Sequence, residues 1–321
     1  MNKYNIGVVG ATGLVGRTFL TLLEEYKFPV EKLKIFASVK SIGKEIVFQN
    51  DLYFIEELTM ESFVDLDFVF FCAGSIVSKE WAPVAVGSGC IVIDNSSYFR
   101  MNEDVGLIVP EVNFNEKFTI ISNPNCSTIQ SVICLNALKE FGLKRVVYTT
   151  YQAVSGSGIK GINDLKNNEQ SFYPYNIKDT CIPQIDEFLD NGYTKEEMKM
   201  INETKKILNL PLLDVVATCV RVPVLNSHAV SILVELEKEC STNEILDAFK
   251  KQKGLVIREP YPTSLNSNGN DLVYVGRVRK DLSKPNSFLF YCVADNIKTG
   301  AASNAIKIAL KIIENSIALK N

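Results

Sequence analysis

The chain opens with an apolar run, Tyr4 to Val9, that meets Gly-Ala-Thr-Gly-Leu-Val-Gly (Gly10 to Gly16) without a break. A helical pattern through Leu14, Phe19, Leu22 and Leu23 follows. No other stretch restricts the fold as much. Strand, glycine turn and helix in immediate succession open a dinucleotide-binding βαβ unit, where backbone and helix amides hold a pyrophosphate. The glycines are spaced G-x-x-G-x-x-G, and a purely structural turn is the alternative. Apolar runs at 33–37, 68–71 and 90–93, each with helical segments nearby, carry the alternation over about 120 residues. Such alternation predicts a Rossmann-like, doubly wound α/β sheet.

The loop after the second run reads Ser38-Val39-Lys40-Ser41-Ile42-Gly43-Lys44. An NAD site usually places an acid there for the ribose 2′-hydroxyl. Hydroxyls and a lysine suit a 2′-phosphate instead, so NADP is the expected cofactor. Arg100 ends a polar loop that follows the run at 90–93, on the side where such sheets bind ligands. It faces either a ligand or solvent.

The second constraint is Ser122-Asn123-Pro124-Asn125-Cys126-Ser127-Thr128, between a short apolar run and a helical pattern that Gly142 stops. Asn-Pro-Asn is turn chemistry, which puts Cys126 at a helix N-terminus. The positive end of the dipole favours thiolate, making this cysteine a candidate nucleophile. A small buried residue in a tight turn is the plainer alternative. None of the eight cysteines forms a C-x-x-C pair or a metal-like spacing. That pattern predicts a reduced, cytoplasmic protein without a metal site. The only histidine is His228, so one residue is available for any imidazole step.

Beyond the cysteine helix the pattern changes. Long β-rich runs at 145–154, 214–222, 229–237, 272–279 and 287–294 alternate with helical stretches near 157–170, 194–209 and 241–252. They predict an α+β domain with a mixed, largely antiparallel sheet and helices on one face. Residues 171–193 read as a long ordered loop. An amphipathic helix from about Thr299 to Ala318 is expected to return to the nucleotide domain. A net charge of −3 gives no footprint for nucleic acid. No apolar run approaches the ~20 residues of a membrane span. No signal peptide is expected before the first strand.

Taken together, GATGLVG, SNPNCST, EEMKM at 196–200, RVPVLNSH at 221–228 and DNIKTGAASNA at 295–305 resemble aspartate-β-semialdehyde dehydrogenase, in its compact branch. The resemblance runs along nearly the whole chain. It implies NADP-dependent reduction of aspartyl phosphate to aspartate semialdehyde through a cysteine thioester, on the route to lysine, threonine and methionine. It implies an NADP-binding domain of 1–126 with 297–321, and a catalytic and dimerisation domain of 127–296.

The roles implied are Cys126 as nucleophile, His228 as general acid/base titrating near neutral pH, and Gln152 as positioning residue. For the substrate they are Arg221 on the α-carboxylate, Glu196 (or its neighbour Glu197) on the ammonium, Arg100 and Lys199 on the phosphate, and Asn125 near the reacting carbonyl. For the cofactor they are Gly10, Thr12, Gly13, Leu14 and Val15, then Ser38, Lys40 and Ser41, then Ser155, Gly156 and Asn296. Partners implied are a small-molecule substrate, inorganic phosphate and a second copy, as a homodimer or homotetramer. Lys40 departs from the arginine that many members carry. Two rivals remain: N-acetyl-γ-glutamyl-phosphate reductase, whose motif resembles Asn-Pro-Gly-Cys, and a non-catalytic module that senses nicotinamide on the same fold.

Overall fold

The computed structural model describes residues 2–318, so the last three residues of the expected 297–321 segment lie outside the described residues. The chain divides into two compact units. The first comprises the described residues up to Pro110, Phe114–Pro124, and those from Ala301 on; the second comprises Glu111–Asn113 and Asn125–Gly300.

In the first unit, β1 (Tyr4–Val9), α1 (Leu14–Glu25), β2 (Val30–Phe36), β3 (Glu45–Phe48), β4 (Asp51–Glu56), β5 (Phe68–Phe71), α2 (Ser75–Gly87), β6 (Ile91–Asp94), β7 (Gly106–Leu107) and β8 (Ile120–Ser122) follow in order. A one-turn helix, α3 (Pro110–Asn113), precedes β8. The sheet runs β3-β4-β2-β1-β5-β6-β8-β7 and is parallel except at the β3/β4 edge. Its central strands β1, β5 and β6 are largely apolar on both faces because both are covered. Ile6, Val8, Phe68 and Phe70 pack with Phe19 and Ile306 on one side; Val9, Val69 and Phe71 pack with Phe63 and Ala82 on the other. Ile306 belongs to α9 (Ser303–Ala318), which follows a π-turn at Lys298–Ala302 and rests on α1. The late helix thus belongs to the first unit.

The β3–β4 hairpin was not anticipated. Its turn, Gln49-Asn50, holds both residues at positive φ (52° and 67°), the twist a two-residue hairpin needs, but with Gln where Asn or Gly is usual.

The second unit contains α4 (Cys126–Ala137), β9 (Leu143–Gln152), α5 (Gly158–Asn167), α6 (Lys195–Leu208), β10 (Asp214–Arg221), β11 (His228–Leu236), α7 (Thr242–Lys251), β12 (Leu255–Ile257), the one-turn α8 (Ser264–Ser267), β13 (Val273–Lys280) and β14 (Ser287–Ala294). Its sheet runs β10-β9-β11-β14-β13-β12 and is mixed, with β9/β10 and β12/β13 parallel. Helices α4, α6 and α7 contact it, and Tyr148, Ile232 and Phe290 are fully buried. Alternate residues on the strands, such as Tyr151, Leu233 and Tyr291, stay partly exposed on the opposite face.

The expected loop at 171–193 is ordered by specific ties. Asp164 on α5 accepts from the Ser171 hydroxyl and from the amides of Ser171, Phe172 and Tyr173. Burial alone would raise its carboxyl, but these donors win and hold it down at about 2. Farther along, Ile182 and Arg221 exchange backbone hydrogen bonds of 2.9 and 2.8 Å.

Candidate active site

Asn125 is the N-cap of α4: its Oδ1 accepts from the amides of Ser127 (2.9 Å) and Thr128 (3.2 Å). Cys126 is therefore the first residue of the helix, half-buried, as the turn chemistry predicts. Gly300 crosses so close that a Cβ there would stand 2.7 Å from Cys126 Cβ. The Asn125 amide N–H donates to Glu203 Oε2 (2.6 Å), and its side-chain Nδ2 donates to Glu196 Oε1 (2.8 Å).

Both acids come from α6. Along it Glu196, Lys199 and Glu203 sit at i, i+3 and i+7, one face of the helix. Glu196 also accepts from Gln152 Nε2 (3.1 Å) and Lys199 Nζ (3.2 Å). Burial would raise its carboxyl, but Lys199, the two amides and Arg221 together lower it, so it is ionised at neutral pH. Glu197 is spent elsewhere: it forms a capping box with Thr194 and accepts from the Cys219 amide (3.0 Å). Of the two neighbours, Glu196 is the one that faces the cavity.

Three strand ends meet beside α6. Gln152 ends β9 in register with Arg221, which ends β10; His228 begins β11. The Ala153 peptide organises two of them, its carbonyl accepting from Arg221 Nη1 (2.6 Å) and its N–H donating to His228 Nδ1 (3.0 Å). A Cβ on Gly156 would lie 2.8 Å from Arg221 Nη1 and 3.1 Å from His228 Nε2, so only glycine lets the chain pass over both. Ser227, at φ 73°, aims His228; its N–H donates to Asn296 Oδ1, whose amide also bonds Ser155 Oγ (2.9 Å). Ser155 and Asn296 thus engage each other here, besides any contact with a cofactor.

The surroundings of His228 favour its neutral form. Full burial, and then the Arg221 charge, push its pKa well below 6.5. Because Nδ1 accepts a backbone N–H, the neutral ring carries its proton on Nε2. Among the described residues Nε2 meets no partner. In that form Nε2–H is available as a hydrogen-bond donor.

These residues line a cavity of about 770 Å³ that contains Cys126, Gln152, Glu196, Lys199, Arg221 and His228. A buried guanidinium and an ionised carboxylate side by side match a zwitterion, while Lys199 supplies a cation for an anionic group. Asp186, which the sequence did not single out, also lines it. Arg100 lies in the first unit, buried, with Nη2 on the Asn95 carbonyl (2.9 Å).

The glycine turn fits a dinucleotide. Gly10 has φ 86°, and its missing Cβ would clash at 2.8 Å with the Cys72 backbone. A Cβ on Gly16 would meet Gly10 O at 2.4 Å, so α1 packs tightly on the turn. Gly13 caps α1 without a side chain, and the first turn has no acid, which leaves the helix amides to an anion. Thr12, Leu14 and Val15 belong to the same turn; Ser38, Lys40 and Ser41 form the 3₁₀ turn after β2 and its cap.

Residues 5–119 match the family described as "Semialdehyde dehydrogenase, NAD binding domain", and residues 135–299 match "Semialdehyde dehydrogenase, dimerisation domain". The aspartate-semialdehyde dehydrogenase of Aquifex aeolicus is 44% identical, covering 98% of this chain and 99% of its own. That of Campylobacter jejuni is 45% identical over 97% and 98%. The crystal structure of aspartate semialdehyde dehydrogenase II from Vibrio cholerae superposes with a TM-score of 0.93 at 39% identity, covering 98% of this chain and 99% of that one. The chain belongs to the aspartate-semialdehyde dehydrogenase family.

Proposed function

We propose that the chain interconverts L-aspartyl 4-phosphate and L-aspartate 4-semialdehyde, with NADP as cofactor and inorganic phosphate as the released group. This is the aspartate-pathway step toward lysine, threonine and methionine. The observation that carries the reading is a cysteine at a helix N-terminus sharing one cavity with Arg221 and the ionised Glu196. Arg221 takes the α-carboxylate through its planar fork, Glu196 the ammonium, and Lys199 the phosphate.

The Cys126 thiolate attacks the acyl carbon, the bond from that carbon to the phosphate oxygen breaks, and a thioester forms as phosphate leaves. A reduced nicotinamide held at the glycine turn would supply the hydride that takes the thioester to the aldehyde level. The alkoxide that results on the Cys126 adduct collapses to the aldehyde and returns the thiolate. At each tetrahedral stage charge gathers on the former carbonyl oxygen, where the Nε2–H of His228 is the fixed donor. That oxygen need exchange no proton, which suits an imidazole held neutral. A second copy pairs through the exposed sheet face that carries Tyr151 and Tyr291.

Nicotinamide absorbance with aspartate semialdehyde, NADP and phosphate tests the reading. Turnover is expected, with none for the N-acetylglutamate analogue, which has no free ammonium for Glu196. Turnover of the analogue alone would reassign the chain to the reductase, and turnover of neither would leave the sensor. Lys40→Ala is expected to raise the KM for NADP by roughly tenfold and leave that for NAD unchanged, as one charged contact to the 2′-phosphate is lost. Equal kcat/KM for the two cofactors in the parent would contradict this.

A further inference from the structure

Lys199 already holds two carboxylates. Its Nζ lies 2.8 Å from Asp186 Oδ2 and 3.2 Å from Glu196 Oε2. Burial would lower the ammonium's pKa, but these two carboxylates raise it, so the charge is secure. The two acids are held very differently. Glu196 has a side chain only 7% exposed and is fixed by the Asn125 and Gln152 amides. The Asp186 side chain is 34% exposed and comes from the 171–193 loop. Besides Lys199, it bonds the amide of the next residue, Glu187 (2.9 Å). Its backbone stands at φ 69°, a left-handed conformation that asparagine and aspartate tolerate and most residues do not.

A phosphate dianion on Lys199 therefore meets a carboxylate less than 3 Å from the same nitrogen. Like charges that close repel, and one must leave. Glu196 is anchored and is needed for the substrate. Asp186 is the carboxylate free to move. Resting on the reading of Lys199 as a phosphate ligand, we propose that Asp186 is an internal stand-in for the phosphate. It neutralises Lys199 between turnovers, gives way when the phosphoryl group enters, and returns as phosphate departs. Phosphate affinity is then set by competition with a residue that never touches the reacting carbon.

Asp186→Asn is the informative variant. Asparagine keeps the φ 69° backbone and the Oδ1 acceptor for Glu187, and removes only the charge. With the full-length enzyme and inorganic phosphate, the KM for phosphate in the oxidative direction should fall about 3- to 10-fold. Product inhibition by phosphate in the reductive direction should tighten by the same factor. The KM for aspartate semialdehyde should stay within about twofold, as Arg221 and Glu196 are untouched. An unchanged or raised phosphate KM would overturn the proposal. So would a parallel loss in kcat and both KM values, which is what a mere loop anchor predicts. Lys199→Met separates the two layers. If it weakens phosphate while Asp186→Asn does not tighten it, only the stand-in fails. If it leaves phosphate unaffected, the assignment of Lys199 fails, and the stand-in with it.

Discussion

Cys126→Ala is expected to lower kcat by ~10⁴-fold or more while NADP binding persists, because the covalent route disappears and the glycine turn is untouched. The structure also says which thiol should react first. Cys126 begins α4 and lines the cavity, where the helix N-terminus favours thiolate. Cys90, Cys134, Cys219, Cys240 and Cys292 are buried. The Cys72 thiol is pushed up to about 12, by burial first and the Asp94 charge second, which disfavours its thiolate. Cys181 is exposed and is the natural competitor. An alkylating reagent should therefore reach Cys126 and Cys181, and inactivation should follow the first. If labelling Cys181 alone abolished activity, the nucleophile would be misassigned.

His228→Asn is the second large effect. Removing one preorganised donor at an oxyanion costs about 10²–10³-fold in kcat, with little change in KM. The pH profile separates donor from base. A base with an ordinary imidazole pKa gives a limb near neutrality that vanishes in the variant. Here burial and Arg221 lower the His228 pKa well below 6.5, and in the proposed mechanism the neutral form is the active one. Activity that depends on it is thus full at neutral pH and falls only as pH drops through that lowered value. Between pH 6 and 8 the variant's profile should keep the parental shape at reduced height. A near-neutral limb present in the parent and absent in the variant would return His228 to the role of base.

Much of this site was legible because its residues sit in rigid local grammar. Asn-Pro-Asn before an apolar helix fixes where Cys126 must be, and the structure puts it there. The choice between Glu196 and Glu197 was legible too, through a signal not used. Thr194-Lys195-Glu196-Glu197 is a capping box, which spends the acid three residues after the threonine and leaves Glu196 free. Glu203 carried a weaker mark: it lies on the α6 face of Glu196 and Lys199, but a lone acid in a helix reads as a solvated side chain. What could not be read is anything set by long-range packing. The neutral His228 tautomer depends on the Ala153 amide, 75 residues away in sequence. The pairing of Asp186 with Lys199 depends on how a weakly periodic loop folds back on α6. The β3–β4 hairpin was hidden by Gln49 in a turn whose usual residues are Asn and Gly.

An acyl group carried by Cys126 is the centre of the proposed mechanism. The most direct measurement mixes the enzyme with L-aspartyl 4-phosphate in the absence of any nicotinamide, follows phosphate release, and maps the added mass on proteolytic peptides. A burst of up to one phosphate per chain is expected, with one aspartyl group on the peptide that contains Cys126, and neither in Cys126→Ala beyond spontaneous hydrolysis. Acylation of a different residue, or phosphate release at the same rate from Cys126→Ala, would contradict it.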